Sequence, residues 1–257
     1  MQGTIDGLSY GLVTPVAAYL TACLGSALGL RCTVRSLALD RSRKPGWLAL
    51  GAVSIGCGIW SMHFIAMLGF QVSGAAISYD TTLTFLSLLV AVLVVGVGIF
   101  TVGYFGTGPG PLLTAGVFTG LGVAGMHYLG MAAMRMNGSL VYDSAVVALS
   151  VAIAVVAATA ALWAAIAIRG FLASLGASAV MGVAVTGMHY TGMAAVDVHI
   201  THGVNVVGSS AVGVMALLIG PLVVLVLAAA IVMFDPMLIM GDDEPDRRPV
   251  RRNAGWS

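Results

Sequence analysis

Seven stretches of about 20 mostly apolar residues run along the chain, at approximately 9–30, 47–68, 82–104, 112–134, 145–168, 171–194 and 211–234. A helix of about that length crosses the hydrocarbon core of a bilayer. The breaks between the stretches carry turn chemistry, as in Gly106-Thr107-Gly108-Pro109-Gly110-Pro111 and Asn137-Gly138-Ser139. The joint at Arg169-Gly170 is so short that helices five and six should be antiparallel neighbours. Two small-residue patterns, Gly25 to Gly29 and Gly116 to Gly120, have the spacing that lets membrane helices approach closely. The expected fold class is an all-α integral membrane protein, a seven-transmembrane-helix bundle over residues 1–234. A short tail, 235–257, is expected to be disordered.

Composition strengthens this picture. Of 257 residues, 59% are hydrophobic and 8% charged, and the mean hydropathy is +1.02. A soluble domain carries roughly 25% charged residues, so lipid is the expected solvent. The net charge of +1 gives no reason to expect nucleic acid. The first basic residue, Arg31, follows the first apolar stretch, so that stretch is expected to stay as a helix rather than serve as a signal peptide. Cys23, Cys32 and Cys57 fall in or at the ends of spans and do not form a disulfide framework; they read as packing residues, with a weak metal option for Cys57.

The basic residues orient the bundle. With the N-terminus outside and the C-terminus cytoplasmic, ten of eleven Lys and Arg lie inside. They are Arg31, Arg35, Arg41, Arg43 and Lys44 in the first loop, Arg169, and Arg247, Arg248, Arg251 and Arg252 in the tail, where they should meet anionic lipid. Only Arg135 is outside, where it can snorkel to headgroups or stabilise an anion. The same orientation puts His63, His127, His189, His199 and His202 at or near the outer face.

Internal similarity is the most informative feature. Three segments share the pattern Met-His-aromatic-x-small-Met: Met62 to Met67, Met126 to Met131 and Met188 to Met193. Their histidines are 64 and 62 residues apart, so the pattern recurs on helices two, four and six. The repeats read as three parallel two-helix units, about 47–104, 112–168 and 171–234. Tyr79-Asp80 and Tyr142-Asp143 precede helices three and five, while Val207-Gly208-Ser209 stands at the third equivalent place. Asp80 and Asp143 read either as helix N-caps or as contacts supporting the histidines.

Residues i and i+4 share a helix face. His63 with Met67, His127 with Met131, and His189 with Met193 therefore point alike. Met62, Met126 and Met188 adjoin the histidines but point about 100° away. Imidazole is the commonest protein metal ligand, and thioether sulfur favours Cu(I). Few carboxylates are near, which disfavours Mg²⁺ and Ca²⁺. Copper is the best chemical match, with Met62, Met126, Met188, His199 and His202 as additional candidate ligands. His199 and His202, spaced i, i+3, would share a face if helical, or are incidental to an outer loop. The structural alternative is a packing core in which the three motif histidines join the repeats by hydrogen bonds.

The three segments resemble the MHYT family, bacterial membrane domains named for a Met-His-Tyr-Thr motif. Met188-His189-Tyr190-Thr191 matches the motif letter for letter; Met62-His63-Phe64-Ile65 and Met126-His127-Tyr128-Leu129 depart from it. The resemblance covers about residues 8–234 and implies a multi-pass protein of the bacterial cytoplasmic membrane. It further implies a sensor of a diatomic gas such as O₂, CO or NO, through copper held by the motif His and Met residues. Many such relatives are fused to domains that make or degrade cyclic di-GMP, so a separate cytoplasmic signalling partner is expected for this chain. Homo-oligomerisation stays open.

Two other readings compete with the sensor. One is a copper-handling chaperone or transporter, although the apolar inner halves of the spans argue against a conducting path. The other is a haem protein with two axial histidines. A retinal photoreceptor lacks its intramembrane lysine, since Lys44 is in a loop. No set of nucleophile, base and carboxylate suggests an enzyme.

Overall fold

The computed structural model describes residues 5–6, 10–73, 76–168, 170–200 and 211–235. Seven helices are long and apolar enough to cross a membrane: α1 (Val13–Leu37), α2 (Lys44–Leu68), α3 (Thr81–Phe105), α4 (Pro109–Ala132), α5 (Ser144–Ala167), α6 (Phe171–Ala194) and α7 (Ala211–Met233). Each expected span is present. The largest difference is at α1, which starts after Gly11, whose φ of +59° suits glycine, and runs to Leu37. Its last turns therefore include Arg31 and Arg35. Cations are favourable near a helix C-terminus, and both find partners there. Arg31 lies over the Phe171 ring at 5.0 Å, and Arg35 lies over Trp47 at 5.6 Å and pairs with Asp235 at 2.8 Å.

Each of α1 to α6 packs on its neighbours in sequence, and α6 also packs on α1. The six thus close into a ring in which α2, α4 and α6 alternate with α1, α3 and α5. Helix α7 stands outside the ring, against α2 and α1. Close approach relies on the expected small residues. A Cβ added at Gly25 would lie 2.7 Å from the Cα of Gly58, and one at Gly120 would overlap the Val155 backbone.

Three two-stranded antiparallel ribbons lie at one end of the ring. They pair β1 (Ile5–Asp6) with β2 (Gln71–Val72), β3 (Ser78–Tyr79) with β4 (Met134–Arg135), and β5 (Gly138–Tyr142) with β6 (Val196–Ile200). Each ribbon joins the segment before an odd helix to the segment after the next even helix. The ribbons thus link the helices as α1–α2, α3–α4 and α5–α6, a grouping offset by one helix from the sequence frame of 47–104, 112–168 and 171–234. A sequence period has no intrinsic starting point; hydrogen bonding between segments supplies one. Val207 to Ser209, Arg169 and the tail from 236 lie outside the described residues.

Candidate metal centre

His63, His127 and His189 each lie five residues before the C-terminal end of their helix, on α2, α4 and α6. Alternate placement around the ring aims all three inward at one depth, near the ribbon end. Their Nδ1 atoms form a triangle with edges of 3.0, 3.1 and 3.3 Å. The rings meet edge to face, with centroids 4.9 to 5.1 Å apart. All three side chains are buried.

Hydrogen bonding alone does not satisfy this triangle. A neutral imidazole has one N–H and one lone pair. Three mutual contacts form an odd cycle, which cannot alternate donor and acceptor, so at least one pair meets like to like. The Nε2 atoms of His63 and His127 are also buried and lack a partner. A cation at the centre would accept three Nδ1 lone pairs together. The centre of such a triangle is about 1.8 Å from each nitrogen, close to the roughly 2.0 Å of metal–imidazole bonds. The donor set therefore fits a small metal ion.

Residues that the motif chemistry did not single out hold the rings in place. A Cβ added at Gly130 would fall on Nε2 of His63, and one at Gly192 on Nε2 of His127. The small position three residues after the histidine is thus a socket for a ring from another motif helix. Ala66 occupies that position in α2 and is buried. The motif aromatics Phe64, Tyr128 and Tyr190 each stand edge-on to the preceding histidine. Tyr128 Oη and Ser150 Oγ are 2.6 Å apart, while in the first unit Trp60 Nε1 donates to Ser87 Oγ at 2.9 Å. The sequence signal was the serine seven residues after each capping aspartate.

The methionines pack around the centre. Met67, Met126, Met131 and Met188 are buried in the main apolar core, and half-buried Met193 packs against it. Met62 is buried with Ala18, Ala22 and Ala66. Cys57 belongs to a different cluster with Leu28, Cys32 and Leu225 of α7. Asp80 caps α3, accepting from the Leu83 N–H at 3.0 Å, and pairs with Arg135 at 3.1 Å. The Leu83 N–H first, and then Arg135, hold the Asp80 carboxyl below the usual carboxylate range. The Arg135 expected to reach headgroups thus has a partner just after the strand it pairs with. Asp143 caps α5 through Ala145 N–H at 2.8 Å and Val146 N–H at 3.1 Å. Among the described residues, the His, Cys and acidic side chains that converge here are the three histidines alone. His199 is exposed on strand β6 opposite Ser139 and so is not helical. His202 lies outside the described residues.

Seven membrane-spanning helices, six of them closed around three inward imidazoles, define a multi-pass membrane protein with a candidate metal-binding centre. The family model described as "Bacterial signalling protein N terminal repeat", MHYT, matches residues 56–115 and 120–178. The chain belongs to the MHYT family of bacterial signalling-protein repeats. It is 40% identical over 195 residues to the "Bifunctional diguanylate cyclase/cyclic di-GMP phosphodiesterase MucR" of Pseudomonas aeruginosa, covering 73% of this chain and 28% of that protein. It is 37% identical over 205 residues to the "Cyclic di-GMP phosphodiesterase NbdA" of the same organism, covering 77% and 26%. "Signaling protein YkoW" of Bacillus subtilis is 30% identical over 201 residues, covering 70% and 24%. The chain thus spans about a quarter of these relatives' length, and the enzymatic words in their names concern other fused domains. No solved structure gives a significant match. These relatives and the seven spans make the chain a multi-pass protein of the bacterial inner membrane.

Proposed function

We propose that this chain is a metal-dependent membrane sensor whose centre is a copper ion held by His63, His127 and His189. The observation that carries this reading is the triangle of Nδ1 atoms with edges of 3.0 to 3.3 Å, which hydrogen bonds alone leave frustrated. The donors are neutral and buried, and among the described residues no carboxylate joins them. Burying an ion costs more as its charge rises, so this dry, neutral cage favours a monovalent ion, and imidazole suits copper. Bound there, copper would supply a coordination position for a diatomic gas such as O₂, CO or NO. Met67, Met131 and Met193, one turn beyond each histidine, and Met62, Met126 and Met188 beside them, are reserve thioether donors for that ion. Histidine nitrogens this close leave no plane for a macrocycle, which favours an ion over haem.

In this reading the N-terminus faces outward and the histidine end lies at the outer face. A ligand at the centre shifts the relative positions of α2, α4 and α6, and an output domain or separate cytoplasmic partner reads the change. The relatives named for cyclic di-GMP turnover support an output of that type.

The test is elemental mass spectrometry of detergent-purified protein. Wild type should carry near-stoichiometric copper, and single His63→Ala, His127→Ala and His189→Ala variants should each lose most of it. Circular dichroism checks that the variants keep their helices. Wild type that stays copper-free after anaerobic Cu(I) loading would overturn the reading.

A further inference from the structure

Directly beneath the histidines the ring encloses an apolar lumen. Its first layer is Ile59, Val123 and Val185, each four residues before a motif histidine and so one helical turn below it. Its second layer is Ile55, Thr119 and Met181, one turn lower again. The cavity thus ends one helical turn short of the triad, with Met188, the neighbour of His189, in its wall on that side. The cavity volume is about 60 Å³. An ordered water needs about two to four polar partners; the polar groups in this wall are the hydroxyls of Ser26 and Thr119, and Thr119 already donates to the Val94 carbonyl oxygen, so the lumen holds water poorly.

The space has an identifiable origin in the sequence. Aligning α3 and α5 on their capping aspartates, Asp80 and Asp143, places Val94, Val95 and Val102 opposite Ala157, Ala158 and Ala165. Each exchange removes two methyl groups from the α5 wall, and all three alanines line the cavity. Of the lining residues, those that keep partial exposure are Ala157, Ala158, Ala161 and Val185, all on α5 and α6. The opening thus faces the hydrocarbon region at the seam between these two helices, away from the ribbons.

We propose that this lumen is a dry binding site for a small non-polar molecule, of two or three heavy atoms, that enters from the lipid phase between α5 and α6 and reaches the histidine centre from below. The occupant partitions from the bilayer core rather than crossing the polar ribbon end. It is held by dispersion contacts with the two layers of side chains, with no hydrogen bond required. This deepens the sensor reading by giving the gas its route, but the lumen exists whether or not copper binds.

Xenon tests the site without a metal. The full chain in lipid nanodiscs is titrated with xenon under pressure and followed by ¹²⁹Xe NMR. Wild type should show saturable binding. Ala158→Phe should weaken it at least tenfold, Ile59→Ala should strengthen it, and Ala160→Phe on the exposed face of α5 should leave it unchanged. Ala157→Leu is a milder filling variant should the phenylalanine prevent folding. Non-saturable binding, or wild-type binding in both filling variants, would overturn the proposal. So would a lumen filled by an acyl chain, seen as xenon binding that appears only after delipidation. In copper-loaded protein, Ala158→Phe should slow CO association at least tenfold at unchanged copper content; an unchanged rate would overturn the route. Absence of copper from wild type would defeat the metal reading alone, because the xenon arm decides the lumen independently.

Discussion

The histidine centre depends on two residues that carry no functional group. Gly130 and Gly192 leave room for the Nε2 edges of His63 and His127, so any side chain there must displace a ring. Gly130→Val should therefore lower copper occupancy several-fold while every donor remains. Gly187→Val, at an exposed site with open space, should leave it unchanged. Elemental analysis of the two variants checks this. Farther out, Asp80 links a helix cap to Arg135 on the other strand of its own ribbon. Its folded pKa is depressed, so its contribution to stability is present above the unfolded carboxylate pKa of about 3.9. That contribution is lost as pH falls through the lower folded value. The thermal midpoint of wild type should exceed that of Asp80→Asn by a constant margin near neutral pH, and the margin should shrink below about pH 4. The carboxylate is about one-third exposed (32%), so solvent screening should keep the margin small.

At the scale of elements, three similar units solve the same packing problem differently. In the second unit the Tyr128 hydroxyl meets Ser150; in the first, Phe64 lacks that hydroxyl and Trp60 takes Ser87 instead. Restoring the motif by Phe64→Tyr should therefore destabilise the protein, by about 1–3 kcal/mol, because the added hydroxyl is buried where the serine is already engaged. Tyr128→Phe should cost about 1 kcal/mol by loss of one hydrogen bond. Thermal unfolding in detergent measures both. The departure from the family motif at Phe64 was plain in the sequence. Its compensation was not, because Trp60 and Ser87 are 27 positions apart and meet only when α2 packs on α3.

At the scale of the whole molecule, the basic residues gather at one end of the ring. Arg31, Arg35, Lys44 and Asp235 share the end opposite the histidines, and the Arg35–Asp235 pair ties the end of α7 to α1. Reporter fusions in the connection at 38–43 and at 106–108 should read as cytoplasmic, and one at 136–137 as external, if the positive-inside rule holds here. The reverse pattern would invert the bundle and place the histidine centre at the cytoplasmic face. Helix α7 ends at the same basic end of the ring.

Seven spans, their approximate ends, the three motif helices and the two capping aspartates were all legible in the chain itself. Each is a local property: twenty apolar residues need lipid, and an aspartate before a helix finds free N–H groups. Convergence was not local. That three histidines some 60 residues apart share one triangle follows from α6 closing on α1, a contact for which no sequence window contains both partners. The same closure put the methionines into the surrounding core, gave Gly130 and Gly192 their role, and left α7 outside the ring. It also joined the missing methyl groups of α5 into one cavity. Sequence periodicity determined what each helix is; the cyclic packing of six of them decided what their inner faces enclose, because only closure removes those faces from lipid.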